Sequence, residues 1–295
     1  MLSLSRRPPR RRGYALTGPA IAARGALLVA VALAALLLAP PAHAAGGLVG
    51  PKAYYLALGD SLAFGYQPNF DWTHGYADQW YADLRERGTR SYTNYGCNGE
   101  SSTTFIHGGC PYAGLFRSPY AGPQLAAAVA FLKAHPGKVS PVSLDLGAND
   151  LLGDLDPSTC TVSSTWDADL ATLDRNLTET ILPQLTAALT NRHGVRTGDL
   201  VMMNYYDPWQ NQCPNTLAYA QELNQHLAAD AAQFGVPIAD VFAAFGGAAT
   251  PNPTICTYTW MCSAFRDIHA TGGGVGEPGN GYGAIAGAFR RAAGY

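Results

Sequence analysis

Residues 54–62 read YYLALGDSL, the first of several short apolar runs in the chain. Five aromatic and aliphatic residues are followed at once by Gly59, Asp60 and Ser61, a pattern typical of a buried strand that turns sharply into a helix. A serine on such a turn exposes its hydroxyl group to a cleft, close to helix N-terminal amides that favour developing negative charge. The pattern predicts a nucleophile at Ser61, with simple helix capping as the alternative.

Similar apolar runs alternate with longer helical patterns, as in a parallel sheet that is covered on both faces. We predict five strands, at residues 53–58, 91–95, 141–146, 200–205 and 237–241. Helices are predicted at residues 76–87, 124–134, 167–191, 216–234 and 281–293. No internal repeat or low-complexity linker interrupts residues 45–295. The sequence therefore predicts one α/β domain with three α/β/α layers and a central parallel sheet of about five strands.

Two of the predicted strands end in polar segments that contain glycine. Gly99 follows the second strand, and Gly147 and Asn149 follow the third. Ligands of open α/β sheets gather at the carboxyl ends of the strands. Glycine lets a backbone N–H approach a substrate oxygen and asparagine offers an amide donor, so both segments are candidates for an oxyanion hole. The alternative at each position is an ordinary turn, for which the same residues are favoured.

A histidine with an acid beside it stands near the C-terminus, where residues 266–269 read RDIH. A histidine whose one ring nitrogen is held by an acceptor can take a serine proton with the other. The pattern therefore predicts His269 as a general base and Asp267 as the acid that orients it.

Together these segments resemble the SGNH, or GDSL, hydrolases, and within them the secreted actinobacterial esterase and lipase branch. The resemblance covers roughly residues 54–289, and its blocks stand in the family's order: Gly59-Asp60-Ser61-Leu62, Gly99, Gly147-x-Asn149-Asp150 and His269. It implies a flavodoxin-like SGNH hydrolase fold and ester hydrolysis without a metal or an organic cofactor. It also implies roles for particular residues: Ser61 as nucleophile, His269 as base, and an oxyanion hole formed by the amides of Ser61 and Gly99 and the side chain of Asn149.

The acid of the family pattern is displaced in this chain. The family places it three residues before the histidine, where this sequence has Arg266, whereas Asp267 lies two residues before His269. A two-residue offset points the side chains differently. Two interpretations follow: Asp267 orients His269, or the backbone carbonyl of Arg266 does so and Asp267 only caps a turn.

Residues 1–44 have the features of a secretory signal peptide. Six arginines and no acid precede an apolar run at residues 25–39, and a small-residue triplet ends at Ala44. The run is too short for a stable membrane anchor, and either the general or the twin-arginine export route is compatible with it. Removal of this segment takes away six of the 19 basic residues and none of the 21 acidic ones, which leaves a net charge of −8. Nucleic acid is therefore excluded as a partner, and we expect a secreted monomer.

The six cysteines after the signal segment favour three disulfides in an oxidising compartment. Fifteen pairings are possible, and short loops favour two of them, which leaves a third pair: Cys97 with Cys110, Cys256 with Cys262, and Cys160 with Cys213. Sequential pairing of the six cysteines is also typical of the branch that the chain resembles.

Two rival functions and an open substrate question accompany this interpretation. A metal hydrolase would need carboxylates at the alternating spacing of a cation loop, and Asp145, Asp150, Asp154 and Asp156 do not have it. A secreted carbohydrate-binding or adhesive protein would keep the fold without turnover and use the 16 tyrosines and five tryptophans for stacking. For an enzyme, lipid esters, short-chain esters and acylated polysaccharides all fit. Small residues at 63 and 65 are expected to leave room for an acyl chain, which aromatic side chains at 64, 66 and 72 line or block.

Overall fold

The five predicted apolar runs form one parallel sheet in the computed structural model, which describes residues 48–295. The predicted signal peptide, residues 1–44, lies outside the described residues. The strands in chain order are β1 (Tyr54–Gly59), β2 (Ser91–Asn94), β3 (Val139–Asp145), β4 (Leu200–Met203) and β5 (Ile238–Ala239). They lie side by side in the order β2-β1-β3-β4-β5, which is the flavodoxin-like order, so the prediction of the fold is confirmed.

The central strands are buried because both of their faces are covered. Every residue of β3 and β4 is buried, as are five of the six residues of β1. Strands that are buried on both sides read as continuous apolar runs rather than as alternating ones, and this is the pattern at residues 55–58. The sheet order changes direction at β1, and the chain crosses from β2 to the far side of β1 to form β3. The crevice at that point faces the carboxyl ends of β1 and β3.

Helices cover both faces of the sheet. The helices in chain order are α1 (Ser61–Phe64), α2 (Tyr76–Glu86), α3 (Ser102–His107), α4 (Gln124–Ala134), α5 (Ala148–Leu151), α6 (Trp166–Arg175), α7 (Leu182–Ala188), α8 (Thr216–Gln233), α9 (Val241–Ala244), α10 (Pro253–Tyr258) and α11 (Gly281–Ala293). On one face α2 packs against α11, where Trp80 and Phe289 stack with ring centroids 5.2 Å apart. The helices α4, α6, α7 and α8 lie on the other face.

The long helix predicted at 167–191 is interrupted. Residues 176–181 form a π-helical turn between α6 and α7, just before Pro183. Proline has no N–H to donate to the preceding turn, so the regular α-helical pattern cannot continue through it. The helix also ends earlier than predicted, at Ala188.

Strand β4 is shorter than the prediction of 200–205. The amide oxygen of Asn224 on α8 accepts a hydrogen bond from the Tyr205 N–H at 2.8 Å, and the Asn224 amide group donates to the Tyr205 carbonyl at 2.7 Å. The backbone of Tyr205 therefore bonds to a side chain instead of a neighbouring strand. The periodicity of the sequence does not reveal this exchange of hydrogen-bond partners.

Three disulfides hold loops at the carboxyl edge of the sheet. The structure pairs Cys97 with Cys110, Cys160 with Cys213, and Cys256 with Cys262. The first of these bonds lies directly after β2, and the last closes a short loop that leads to Asp267. Within residues 48–295, no helix is both long and apolar enough to cross a membrane.

Candidate active site

Ser61 is the first residue of α1, immediately beyond the carboxyl end of β1. The Asp60 side chain caps this helix, since its Oδ1 accepts a hydrogen bond from the Leu62 N–H at 2.8 Å. Gly59 has a φ of 135°, and a Cβ there would lie 2.0 Å from the carbonyl oxygen of Asp145 on β3. Only glycine fits this turn, because the backbone at position 59 lies directly against β3. Because Ser61 begins the helix, its N–H has no partner within the helix.

His269 lies beside Ser61 although 208 positions separate the two residues. The distance from His269 Nε2 to Ser61 Oγ is 2.9 Å, and that from His269 Nδ1 to Asp267 Oδ1 is 2.6 Å. Tyr206 supports this segment, because its hydroxyl group donates to the Ile268 carbonyl at 2.7 Å. The three side chains that the sequence singled out as nucleophile, base and acid thus form one continuous chain of hydrogen bonds.

A tight turn explains how Asp267 reaches Nδ1 from only two residues away. Its Oδ1 also accepts a hydrogen bond from the backbone N–H of His269 at 2.9 Å, which folds the carboxylate back over the residue two positions on. The residue before it, Arg266, has a left-handed φ of 49°. Asp267 Oδ1 therefore makes both hydrogen bonds, the one that forms the turn and the one to the imidazole. Of the two interpretations of the sequence, the structure places the carboxylate of Asp267, and not the carbonyl of Arg266, at Nδ1.

The surroundings of the Asp267 carboxyl group favour its ionised form. Its partial burial opposes ionisation, but the hydrogen bonds from the ring and backbone of His269, and the charge of the imidazolium form, outweigh that effect and hold the pKa of the carboxyl below its usual value. A carboxylate at Nδ1 favours the tautomer in which Nε2 accepts a proton, and it stabilises the imidazolium that results.

The candidate oxyanion donors lie on the loops after β1, β2 and β3. Gly99 adopts a φ of 80°, and a Cβ there would lie 3.2 Å from Pro111, so glycine suits this turn. The Asn149 amide group donates to the carbonyl of Glu100 at 3.0 Å, which ties the third loop to the second. Asp150 reinforces the tie, because its carboxylate accepts hydrogen bonds from the backbone N–H and the hydroxyl group of Ser102. One N–H of the Asn149 amide remains for a ligand, since the amide carries two.

An apolar cleft opens beside Ser61 and His269. Its lining includes Asn149 and a set of aliphatic and aromatic side chains from the loops after β3 and β4 and from α8: Leu151, Leu152, Leu155, Trp166, Tyr206, Pro208, Trp209, Ala220 and Leu223. No single pattern marks these residues as a group. Ala220 and Leu223 share the helical spacing of a stripe expected to face the core, and none of the set was predicted to line a site.

The expectation that Ala63 and Gly65 leave room for an acyl chain is wrong. Ala63 is fully buried in the core, and a Cβ at Gly65 would lie 2.9 Å from the Cα atom of Gly75, so the chain itself fills that space. Of the aromatic residues nearby, Tyr66 does border the site, with its ring centroid 4.5 Å from that of His269. Phe64 packs instead against Trp72, with centroids 5.3 Å apart.

One cluster within residues 48–295 brings three potential metal ligands together: Cys97, Glu100 and Cys110. The two sulfur atoms are joined in a disulfide, so neither is available as a thiolate ligand. The cluster is therefore not suited to a metal ion.

The chain belongs to the GDSL-like lipase/acylhydrolase family, whose model matches residues 57–272. It is thus a carboxylic ester hydrolase, and membership of the family implies small-molecule esters or acetylated compounds as substrates. Comparison with curated protein sequences gives no match.

A solved esterase structure shares the fold. An acetylxylan esterase from Geobacillus stearothermophilus, Axe2, is 18% identical, with 84% of this chain and 96% of that chain covered and a TM-score of 0.51. Phospholipase A1 from Streptomyces albidoflavus NA297 is also 18% identical, with 81% and 99% of the two chains covered and a TM-score of 0.49.

Proposed function

We propose that this chain is a secreted serine esterase that cleaves carboxylic esters through an acyl-enzyme on Ser61, with His269 as base and Asp267 as its orienting acid. The observation that carries the proposal is the continuous contact from Ser61 Oγ to His269 Nε2 and from His269 Nδ1 to Asp267 Oδ1, beside an apolar cleft. A hydroxyl group at hydrogen-bond distance from a carboxylate-held imidazole is the arrangement that activates a serine.

The reaction follows from this contact. His269 Nε2 takes the proton of Ser61 as Oγ attacks the ester carbonyl carbon, and the negative charge moves to the carbonyl oxygen. The amides of Ser61 and Gly99 and the side chain of Asn149 stabilise that oxygen. His269 then gives its proton to the departing alcohol. A water molecule, deprotonated by His269, then attacks the acyl carbon, and as the bond to Oγ breaks His269 returns its proton to Ser61 and the acid leaves.

Export is part of the same proposal. The basic, apolar and small-residue segments of residues 1–44 are typical of a signal peptide, and the three disulfides of the described chain suit an oxidising compartment. Protein found in the culture medium with a new N-terminus at Ala45 would support this part. Retention of residues 1–44 on the secreted protein would contradict it.

The acyl group belongs in the apolar cleft. Trp166 and Leu223 are 4% and 6% exposed, and together with Trp209 they offer a wall that excludes water from an aliphatic chain. Each methylene that moves from water into such a site gains about 0.8 kcal/mol, or roughly a fourfold increase in kcat/KM. Esters of aliphatic acids several carbons long should therefore react faster than acetates.

Hydrolysis of p-nitrophenyl esters tests the catalytic part. Ser61→Ala and His269→Ala should each abolish activity while the circular dichroism spectrum stays that of the wild type, since nucleophile and base act as one unit. The matched controls are Ser91→Ala, at the amino end of β2, and His193→Ala, on an exposed turn. Activity that survives Ser61→Ala would require another nucleophile. Complete absence of turnover in the wild type would favour a binding protein with this fold.

Ala220→Phe tests the acyl cleft separately. The new ring fills the cleft, so kcat/KM for an octanoate should fall at least tenfold while that for an acetate changes little. Ala229→Phe, on the exposed face of the same helix, is the control. Equal losses for both esters would place the acyl group elsewhere.

A further inference from the structure

A buried glutamine on α4 contacts the strand that leads to the nucleophile. The Gln124 side chain is 1% exposed, and no step of the reaction above uses it. Its Oε1 accepts a hydrogen bond from the Gly59 N–H at 2.7 Å, and its Nε2 donates to the Gly59 carbonyl at 3.0 Å. One side-chain amide therefore bonds to both backbone groups of Gly59, as a neighbouring strand would otherwise do.

The same amide group also contacts the loop after β2. Gln124 Nε2 donates to Glu100 Oε2 at 2.8 Å, and Glu100 too is 1% exposed. An amide nitrogen carries two hydrogens, and here one is directed to the Gly59 carbonyl and the other to the Glu100 carboxyl group. A reversed amide would place its oxygen against the Gly59 carbonyl and its NH₂ group against the Gly59 N–H. The hydrogen bonds therefore fix the orientation of Gln124.

The turn that contains Gly99 is held at both of its ends. The N–H of Cys97 donates to the Gly59 carbonyl at 3.0 Å, and the N–H of Glu100 closes the turn on the Cys97 carbonyl at 3.0 Å. Gly99 lies between these two residues with a φ of 80°. Its N–H therefore belongs to a turn whose first residue bonds to Gly59 and whose last residue bonds to Gln124.

The backbone of Glu100 extends this connection to the loop after β3. Its carbonyl accepts a hydrogen bond from Asn149 Nδ2 at 3.0 Å. Ser61 stands two residues after Gly59 in the first loop. The three groups expected to form the oxyanion hole, the amides of Ser61 and Gly99 and the side chain of Asn149, thus lie on three loops that one glutamine and one glutamate join.

We propose that Gln124 and Glu100 are positioning residues that fix the spacing of the three oxyanion donors. Neither residue lines the cleft beside Ser61, so both act through the loops that they connect. A donor stabilises the oxyanion only when it lies about 2.7–3.1 Å from the place that this oxygen will occupy, and a displacement of about 1 Å can cost 10² in rate. The effect on the reaction rests on the proposed function, whereas the connection itself is a property of the folded protein.

Hydrolysis of p-nitrophenyl butyrate by variants of the two residues tests the effect. Gln124→Met and Glu100→Met keep an unbranched side chain and remove its polar contacts. We expect kcat to fall by about 10² in Gln124→Met and at least tenfold in Glu100→Met, with KM within about twofold, because the donors act in the transition state. The double variant should lose much less than the product of the two single losses, since both changes break the same connection.

Two control variants separate positioning from general stability. Glu100→Gln keeps an oxygen that accepts from Gln124, so kcat should stay within about threefold of the wild type. Ser140→Ala removes a fully buried hydroxyl group that accepts from the Asp199 N–H at 3.0 Å, at the amino end of β3. It should lower the free energy of unfolding and leave kcat unchanged.

Two kinetic results would overturn the proposal. The first is a kcat within threefold of the wild type in folded Gln124→Met, which would show that the glutamine serves stability alone. The second is an equal loss of kcat in Glu100→Met and Glu100→Gln, which would show that the contact with Gln124 is not what matters. Glu100→Met keeps the test decisive if Gln124→Met does not fold, because it leaves the contacts with Gly59 in place.

Amide hydrogen exchange, followed by mass spectrometry, tests the connection without any turnover. In Gln124→Met, residues 97–101 and 147–150 should exchange at least tenfold faster than in the wild type, while residues 200–203 of β4 should not change. Unchanged exchange at residues 97–101 would refute the connection. This readout remains valid if the wild type hydrolyses no ester, so failure of the proposed function and failure of this inference are distinguishable.

Discussion

Replacement of Asp267 by asparagine removes one negative charge from the chain of contacts at Ser61. In the native protein Asp267 Oδ1 accepts two hydrogen bonds from His269, at 2.6 Å from Nδ1 and 2.9 Å from the backbone N–H. Asparagine is nearly isosteric, so its amide oxygen can preserve the turn. It carries no charge to stabilise the imidazolium, and its NH₂ group would favour the wrong tautomer when it faces Nδ1.

We expect kcat to fall by about 10⁴ in Asp267→Asn, which corresponds to roughly 5.4 kcal/mol of lost transition-state stabilisation. The measurement is the initial rate of p-nitrophenyl butyrate hydrolysis at saturating ester between pH 5 and 9. The defect should persist across this range, because the pKa of Asp267 lies below its usual value and the native carboxylate is ionised throughout. The KM should change little, since the acid does not contact the substrate.

Arg266→Ala is the matched control, because it keeps the backbone carbonyl at this position and should leave kcat within about twofold of the wild type. A loss of only tenfold in Asp267→Asn would refute the reasoning. The carboxylate would then serve mainly to shape its turn, as Asp often does.

Three further predictions concern other parts of the molecule. Asn149→Ala should lower kcat by about 10² to 10³ with little change in KM, the usual loss for one oxyanion donor; an unchanged kcat would mean that Asn149 only joins two loops. Replacement of Cys160 and Cys213 by serine, which opens a loop with a sequence separation of 53, should cost about 4 kcal/mol of unfolding free energy in chemical denaturation, and a loss below about 1 kcal/mol would contradict the chain-entropy account. Burial and the neighbouring Asp174 raise the pKa of Asp230 to about 7, so native stability should fall as the pH rises from about 4 to 7. Asp230→Asn should therefore raise the Tm at pH 8 and leave the Tm nearly unchanged at pH 4. An equal rise in Tm at both pH values would contradict the raised pKa.

Much of the architecture was predictable from local patterns. Continuous apolar runs such as residues 54–58 predict buried strands, because a strand covered on both faces has no polar side to present to water. Ser61, Gly99 and Asn149 could be located from the ends of those strands, since parallel strands direct their carboxyl ends to one edge of the sheet. Pro183 accounts for the interruption at residues 176–181, because proline has no N–H to donate to the preceding turn, but not for the end of the helix at Ala188.

Contacts between distant segments needed the tertiary structure. Local spacing left the acid at His269 undecided, because the two-residue offset of Asp267 becomes productive only once the turn after Arg266 folds back. The apolar cleft is assembled from α8 and the loops after β3 and β4, so it has no signature in any single stretch. Gly59 and Gln124 stand 65 positions apart in the sequence, and only the packing of α4 against β1 brings the amide to the end of the strand. Side-chain periodicity reports the elements of a fold, whereas the hydrogen bonds of a site depend on which elements the fold brings together.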